Sequence, residues 1–209
     1  ERHGIPYKTF YDPGNIPNDA DLIVIGRNAK LTRENNSEVK AAYESGIRVA
    51  SFPELLGDIV KKRESIVIAG SYGKSTVTSL IAWCLARSGI DAGWFIGAAA
   101  EGMEPASLGT HPIFVLEGDE YPTSHDDPRP KFAYYNAHDA LITAATHDHA
   151  NIYKTQREFL EPFRALVSNL PDDGILALCT DEPYAESLAK DTRARVVSLR
   201  RSVTSWTPS

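Results

Sequence analysis

The chain holds 209 residues, 42% of them hydrophobic, enough for one substantial core or two small ones. Its 22 Lys and Arg stand against 28 Asp and Glu, and a net charge of −6 excludes bulk binding to nucleic acid or to an anionic membrane surface. No apolar run approaches the roughly 18–20 residues that span a bilayer, the first residues do not read as a basic-then-apolar leader, and two cysteines, Cys84 and Cys179, make no disulfide framework, so a reducing cytoplasm fits best.

In chain order, residues 21–62 read as a small α/β unit. Leu22-Ile23-Val24-Ile25-Gly26 is a buried strand, residues 34–45 are helical until Gly46 stops them, and Ile47-Arg48-Val49-Ala50 is a second strand. A helix over residues 53–61 carries Pro53 in its first turn, where a missing N–H costs nothing. The charged run Lys61-Lys62-Arg63-Glu64 is a solvated connector and marks a boundary. Two units are therefore expected, residues 1–63 and residues 64–209.

The second unit opens with the strand at Ile66. An amphipathic helix follows from Val77 to Ala86, with Cys84 assigned to its core side, and Gly89 ends it. Further strands are expected over residues 91–97, 113–116, 140–143, 174–178 and 195–199, with helical patterns over 155–170 and 183–190. Strands alternating with helices imply an α/β fold with a mostly parallel sheet covered on both faces. In such sheets ligands bind beyond the carboxyl ends of the strands, and three polar clusters fall there.

The first cluster is Gly70-Ser71-Tyr72-Gly73-Lys74-Ser75-Thr76, between a strand and a helix start. Backbone N–H groups and the positive helix end suit a polyphosphate, Lys74 adds a point charge, and Ser75 can ligate Mg²⁺. The loop is shorter than G-x-x-x-x-G-K-[ST], because Ile68 stands five residues before Gly73. The second cluster is Glu117-Gly118-Asp119-Glu120 at the end of Ile113-Phe114-Val115-Leu116. An acid at such a strand tip either orients Mg²⁺ beside the phosphate loop or is a solvated turn residue; Glu117 is the leading candidate, Asp119 and Glu120 the weaker ones. The third is His147-Asp148-His149, where either histidine could serve as a ligand or a phosphate-facing donor. Residues 121–135, rich in Pro, Asp and aromatics, form a long loop suited either to a substrate pocket or to a plain surface excursion. His3, His111, His125 and His138 carry no chemical signal.

Together these motifs resemble the Mur ligase family, ATP-dependent amino-acid and peptide ligases of peptidoglycan synthesis. The short loop, Glu117-Gly118-Asp119-Glu120-Tyr121 and Asp148-His149-Ala150-Asn151-Ile152-Tyr153 carry the resemblance, which runs from about residue 21 to about residue 181. Glu-x-Asp-Glu-Tyr with Asp127-Pro128-Arg129-Pro130-Lys131-Phe132-Ala133-Tyr134-Tyr135 is similar to the murein peptide ligase branch, which joins L-Ala-γ-D-Glu-meso-diaminopimelate to UDP-N-acetylmuramate. The alanine-adding branch usually has Ser where Tyr121 stands. The resemblance implies part of a Rossmann-like UDP-sugar domain over residues 1–63 and a P-loop ATPase-like central domain over residues 64–209. It also implies further parts before Glu1 and after Ser209, the chain being read as a piece of a longer protein.

On the resemblance, Gly70, Ser71, Tyr72, Gly73, Lys74, Ser75 and Thr76 bind ATP. Lys74 meets the β- and γ-phosphates, Ser75 a first Mg²⁺, and Glu117 with His149 a second; Lys74, Glu117 and His149 are the implied catalytic set. The implied partners are UDP-N-acetylmuramate and a peptide or amino acid, without nucleic acid or membrane. Ser71 stands where the family usually has Thr, Ala144 where Asn is common, Thr146 where an acidic or polar residue is, and Asn151 where Asp is; Pro122 also replaces a frequent Asp. Such changes strip carboxylate and amide groups from the second cation's surroundings. Another branch, such as the alanine-adding, folylpolyglutamate or cyanophycin-related type, and a nucleotide-binding homologue with weakened chemistry are the alternatives.

Overall fold

The computed structural model describes residues 4–26, 31–98, 102–124, 126–182 and 184–200; His3, His125 and Pro183 lie outside them. The small unit is a parallel pair, β1 (Leu22–Ile25) and β2 (Arg48–Ser51), with Ile23 opposite Val49. Helix α1 (Ser37–Glu44) begins three residues later than the apolar pattern suggests, because the Asn36 side chain accepts from the N–H groups of Glu38 and Val39 and so caps it there. Helix α2 (Phe52–Val60) opens with a full capping box. Ser51 takes the Glu54 N–H, and the Glu54 carboxylate takes the Ser51 N–H.

The large unit is built on β3 (Glu64–Ala69), β4 (Gly93–Phe95), β5 (Ala106–Ser107), β6 (Ile113–Gly118), β7 (Asp139–Ile142), β8 (Ile175–Cys179) and β9 (Arg195–Leu199). Among the described residues they form one sheet in the order β5-β4-β6-β3-β7-β8-β9, parallel throughout except for the β4–β5 edge pair. Helix α3 (Lys74–Arg87) follows β3, and α4 (Gln156–Ser168) follows β7. The apolar runs expected as central strands are covered as such runs require: Val67, Ile68, Val115, Leu116 and Ile142 have no measurable exposure beyond 0%. From α4, Phe159 and Phe163 insert against this sheet, edge to face with each other at 5.2 Å.

Two expectations are corrected. Cys84 is exposed, on an outer face of α3 shared with Leu80 and Trp83, since α3 meets the sheet through the small residues Thr78 and Ala82. The helix expected over residues 183–190 is a 3₁₀ turn at Glu186–Asp191, long enough only to bury Leu188. Packing continues across the connector at residues 61–63. Leu56 and Val60 of α2 lie in the same apolar cluster as the large sheet, and a Cβ on Gly57 would meet the Tyr134 carbonyl oxygen at 2.5 Å.

Truncation should expose this division between core and surface. Phe163→Ala is expected to cost about 3–5 kcal/mol of unfolding free energy, and Trp83→Ala about 0.5 kcal/mol or less, both read from urea denaturation midpoints.

Candidate nucleotide site at the strand ends

Strand β3 lies between β6 and β7, with Ala69 opposite Gly118 on one side and Ile142 on the other. The three polar clusters therefore emerge at one place. Gly70, at φ 137°, turns the chain off β3, and a side chain there would meet Thr143 Oγ1 at 2.4 Å and the Ala144 carbonyl oxygen at 2.7 Å. Glycine is required at this position by space as well as by backbone. Gly73 (φ 81°) is the residue from which α3 starts, and Lys74 and Ser75 open that helix. The loop is bonded to the chain after β7: the Ser71 N–H donates to Ala144 O at 3.0 Å, Ser71 Oγ to Thr146 O at 2.5 Å, and the Thr143 hydroxyl to Tyr72 O. Ala144 is thus a backbone acceptor for the loop, buried to 0% exposure.

Ser75 Oγ donates to Glu117 Oε1 at 3.0 Å, and the Gly97 N–H donates to Glu117 Oε2 at 2.8 Å. This separation of the two oxygens matches adjacent ligands around Mg²⁺, which at about 2.0–2.1 Å from the metal sit about 3 Å apart. The pair therefore fits a hard cation. Among the described residues no three His, Cys, Asp or Glu side chains gather into a ready cation site.

The structure separates the two histidines. His147 is spent within its loop, with Nε2 2.8 Å from Tyr153 O and its N–H donating to the Gln156 side chain at 2.7 Å. His149, at φ 56°, turns the other way and faces the second cluster. Its Nε2 lies 2.7 Å from Glu120 Oε1 and its Nδ1 2.9 Å from the Tyr121 hydroxyl. A carboxylate only accepts, so Nε2 is the donor to Glu120, while the direction of the Nδ1–Tyr121 hydrogen bond follows the protonation of the ring.

Glu120, ranked behind Glu117 from the sequence, is the most enclosed acid of the site, with 0% exposure. The Lys74 ammonium lies 3.1 Å from its Oε1 and 3.0 Å from its Oε2, and donates at 2.7 Å to Gly70 O. The Tyr153 hydroxyl donates to the Glu120 carbonyl oxygen at 2.6 Å; burial pushes the Tyr153 pKa up to about 12, so it remains a donor. Asp119 pairs with Lys131 at 2.5 Å, at the base of the loop over residues 121–135. A sequence signal for Glu120 did exist: it is three residues on from Glu117 and two past the strand end. Nothing local says that one acid is covered and the other open.

The 121–135 loop closes on itself rather than straying. Thr123 N–H donates to Arg129 O at 2.9 Å, Lys131 N–H to Tyr121 O at 3.1 Å, and Pro122 bridges Pro130. Asp127, Arg129 and the Tyr134 hydroxyl form a connected group facing a cavity of about 270 Å³ beside Gly26, Arg33 and Ser51, beyond the carboxyl ends of β1 and β2.

The sequence profile of the Mur ligase middle domain matches residues 68–205. The chain belongs to the Mur ligase family. A Haemophilus influenzae Mur ligase, UDP-N-acetylmuramate–L-alanyl-γ-D-glutamyl-meso-2,6-diaminoheptandioate ligase, is 29% identical over 90% of this chain and 42% of its own length. The UDP-N-acetylmuramate–L-alanine ligase of an Arthrobacter strain is 35% identical over 88% of this chain and 38% of its own. Among solved structures, the UDP-N-acetylmuramate:L-alanyl-γ-D-glutamyl-meso-diaminopimelate ligase of Neisseria meningitides superposes with a TM-score of 0.75 at 27% identity, covering 86% of this chain and 58% of that one. The chain thus spans less than half the length of these two curated Mur ligases.

Two measurements test this geometry. Gly70→Ala should lower the melting temperature, because its Cβ would force the loop off Thr143 and Ala144. The second concerns Asp127, which its hydrogen bonds from the Arg129 guanidinium lower from the ordinary 3.8 to about 2. A lowered folded-state value stabilises above the unfolded value and loses that effect as pH falls. Because the Arg129 partner is largely exposed, solvent screening discounts the effect: the stability gap between the parent and Asp127→Asn should stay at or below about 1 kcal/mol above pH ~5 and shrink from pH ~4 toward pH ~2.

Proposed function

We propose that the chain is the central part of a cytoplasmic, ATP- and Mg²⁺-dependent ligase that joins the amine of L-Ala-γ-D-Glu-meso-diaminopimelate to the lactyl carboxylate of UDP-N-acetylmuramate. The observation that carries this reading is the meeting of Lys74, Ser75, Glu117 and His149 at the ends of three adjacent strands, within a chain of the Mur ligase family. Residues 1–63 are assigned to the UDP-sugar domain and residues 64–209 to the ATP-binding domain. The cavity walled by Arg33, Ser51, Asp127 and Arg129 lies where these two parts meet and suits a polar, anionic sugar nucleotide.

In the proposed reaction the carboxylate oxygen attacks the γ-phosphorus of ATP, the bond to the β-phosphate oxygen breaks, and ADP leaves with its electrons. The acyl phosphate is then attacked at carbon by the amine; phosphate departs from the tetrahedral intermediate and the amine loses a proton. Repulsion between the anionic carboxylate and triphosphate opposes the first step. Lys74 and the N–H groups opening α3 offset it by holding the phosphate oxygens. Ser75 and Glu117 would hold Mg²⁺, which would supply further neutralisation of phosphate charge, and His149, now bonded to Glu120 and Tyr121 rather than to Glu117, would be the ligand for a second cation.

Kinship with both the tripeptide-adding and the alanine-adding ligases leaves L-alanine as the second amine to test. Phosphate release from ATP by the intact protein is expected only with UDP-N-acetylmuramate and tripeptide together. Release with L-alanine instead moves the chain to the other branch, and ATP binding without substrate-dependent release with either amine refutes the ligase assignment. Lys74→Ala should reduce turnover by about 10²-fold or more with the circular-dichroism spectrum unchanged.

A further inference from the structure

The proposed chemistry assigns no task to Glu120, although no other acid at the strand ends is so completely enclosed. Covering a carboxylate is costly, and replacing a buried ion pair by apolar groups is often neutral or stabilising, so stability does not account for it. Its surroundings do. Oε1 is shared between Lys74 Nζ at 3.1 Å and His149 Nε2 at 2.7 Å. Oε2 lies 3.0 Å from the same ammonium without an aligned hydrogen bond, and the Tyr153 hydroxyl pins the Glu120 carbonyl.

A lysine ammonium has three N–H donors. Gly70 O takes one and Glu120 a second, which leaves one for an incoming anion. The Lys74 side chain keeps 14% of its surface exposed and Glu120 none, so the ammonium stands between the carboxylate and whatever occupies the loop.

We propose that Glu120 is the positioning residue of the phosphate loop: it holds Lys74 in place before nucleotide arrives, and through the oxygen shared with His149 it keeps the chain after β7 in step with that loop. This rests on the reading that Lys74 meets ATP phosphates. A free lysine stem loses its rotamer freedom when it binds, whereas one already held between Gly70 O and Glu120 has little left to lose.

The test is a double-mutant cycle on Mg²⁺–AMPPNP affinity, measured by isothermal titration with the intact protein. Glu120→Gln should weaken binding about five- to tenfold, while the same change made in Lys74→Ala should add less than about twofold, because its effect passes through the lysine. Glu120→Met, a side chain of similar length without charge, carries the same expectation should the glutamine variant not fold. Parent-like affinity in the Glu120 variants, or a loss that adds fully to that of Lys74→Ala, overturns the positioning role. A lowered melting temperature with unchanged affinity assigns Glu120 to stability alone and overturns it equally. If Lys74→Ala binds AMPPNP like the parent, the phosphate-loop reading falls and this one with it. If Lys74→Ala is weakened and the Glu120 variants are not, only the role of Glu120 falls.

Discussion

The register of β3 between β6 and β7 is the constraint on which the rest depends. Because Ala69 is level with both Gly118 and Ile142, the chain leaves all three strands at one height. The phosphate loop, the acidic turn and the histidine loop are thereby stacked side by side. A slip of one residue would reverse every side chain of a strand, placing Ile68 and Leu116 where their neighbours now pack. The apolar continuity of these strands, buried on both faces, resists that slip. Chemistry at the strand tips is thus indexed to the core beneath them.

Above that base the polar groups bind one another. Lys74 is shared by Gly70 O and Glu120, Glu120 by Lys74 and His149, and His149 by Glu120 and Tyr121. The loop hydrogen bonds from Ser71 and Thr143 run in the same direction, tying α3's start to the chain beyond β7. A low-dielectric network of this kind is stable only when complete, and each member costs free energy if its partner is removed. That coupling makes the site stiff, which suits the proposed reaction between two anions. The closed loop over residues 121–135 extends the arrangement to the small α/β unit. Its base sits on Asp119 through Lys131, and its far side carries Tyr134 against α2.

Much of this was legible in the residues because the signals are local. The strand, the glycine turn and the helix start at Lys74-Ser75 were placed from a dozen neighbouring positions. Apolar runs located the central strands to within one or two residues. Side-chain placement that depends on distant partners was not legible. His147 and His149 differ in sequence by two positions, yet one is consumed by Tyr153 O and Gln156 while the other faces Glu120. Cys84 lies in an apolar helix, but the sheet meets α3 through Thr78 and Ala82, which turns the cysteine outward.

The sequence by itself determined the α/β class, the strand–glycine turn–helix that carries Lys74 and Ser75, and the likeness to Mur ligases, since periodicity, turn chemistry and contiguous motifs are written in neighbouring residues. Only the tertiary structure decided which of the acids at 117, 119 and 120 is enclosed, which histidine faces it, and that α2 packs with the large unit. Those outcomes follow from contacts between residues some 30 to 80 positions apart, such as Lys74 with Glu120 or Val60 with the sheet core, and no local pattern specifies them.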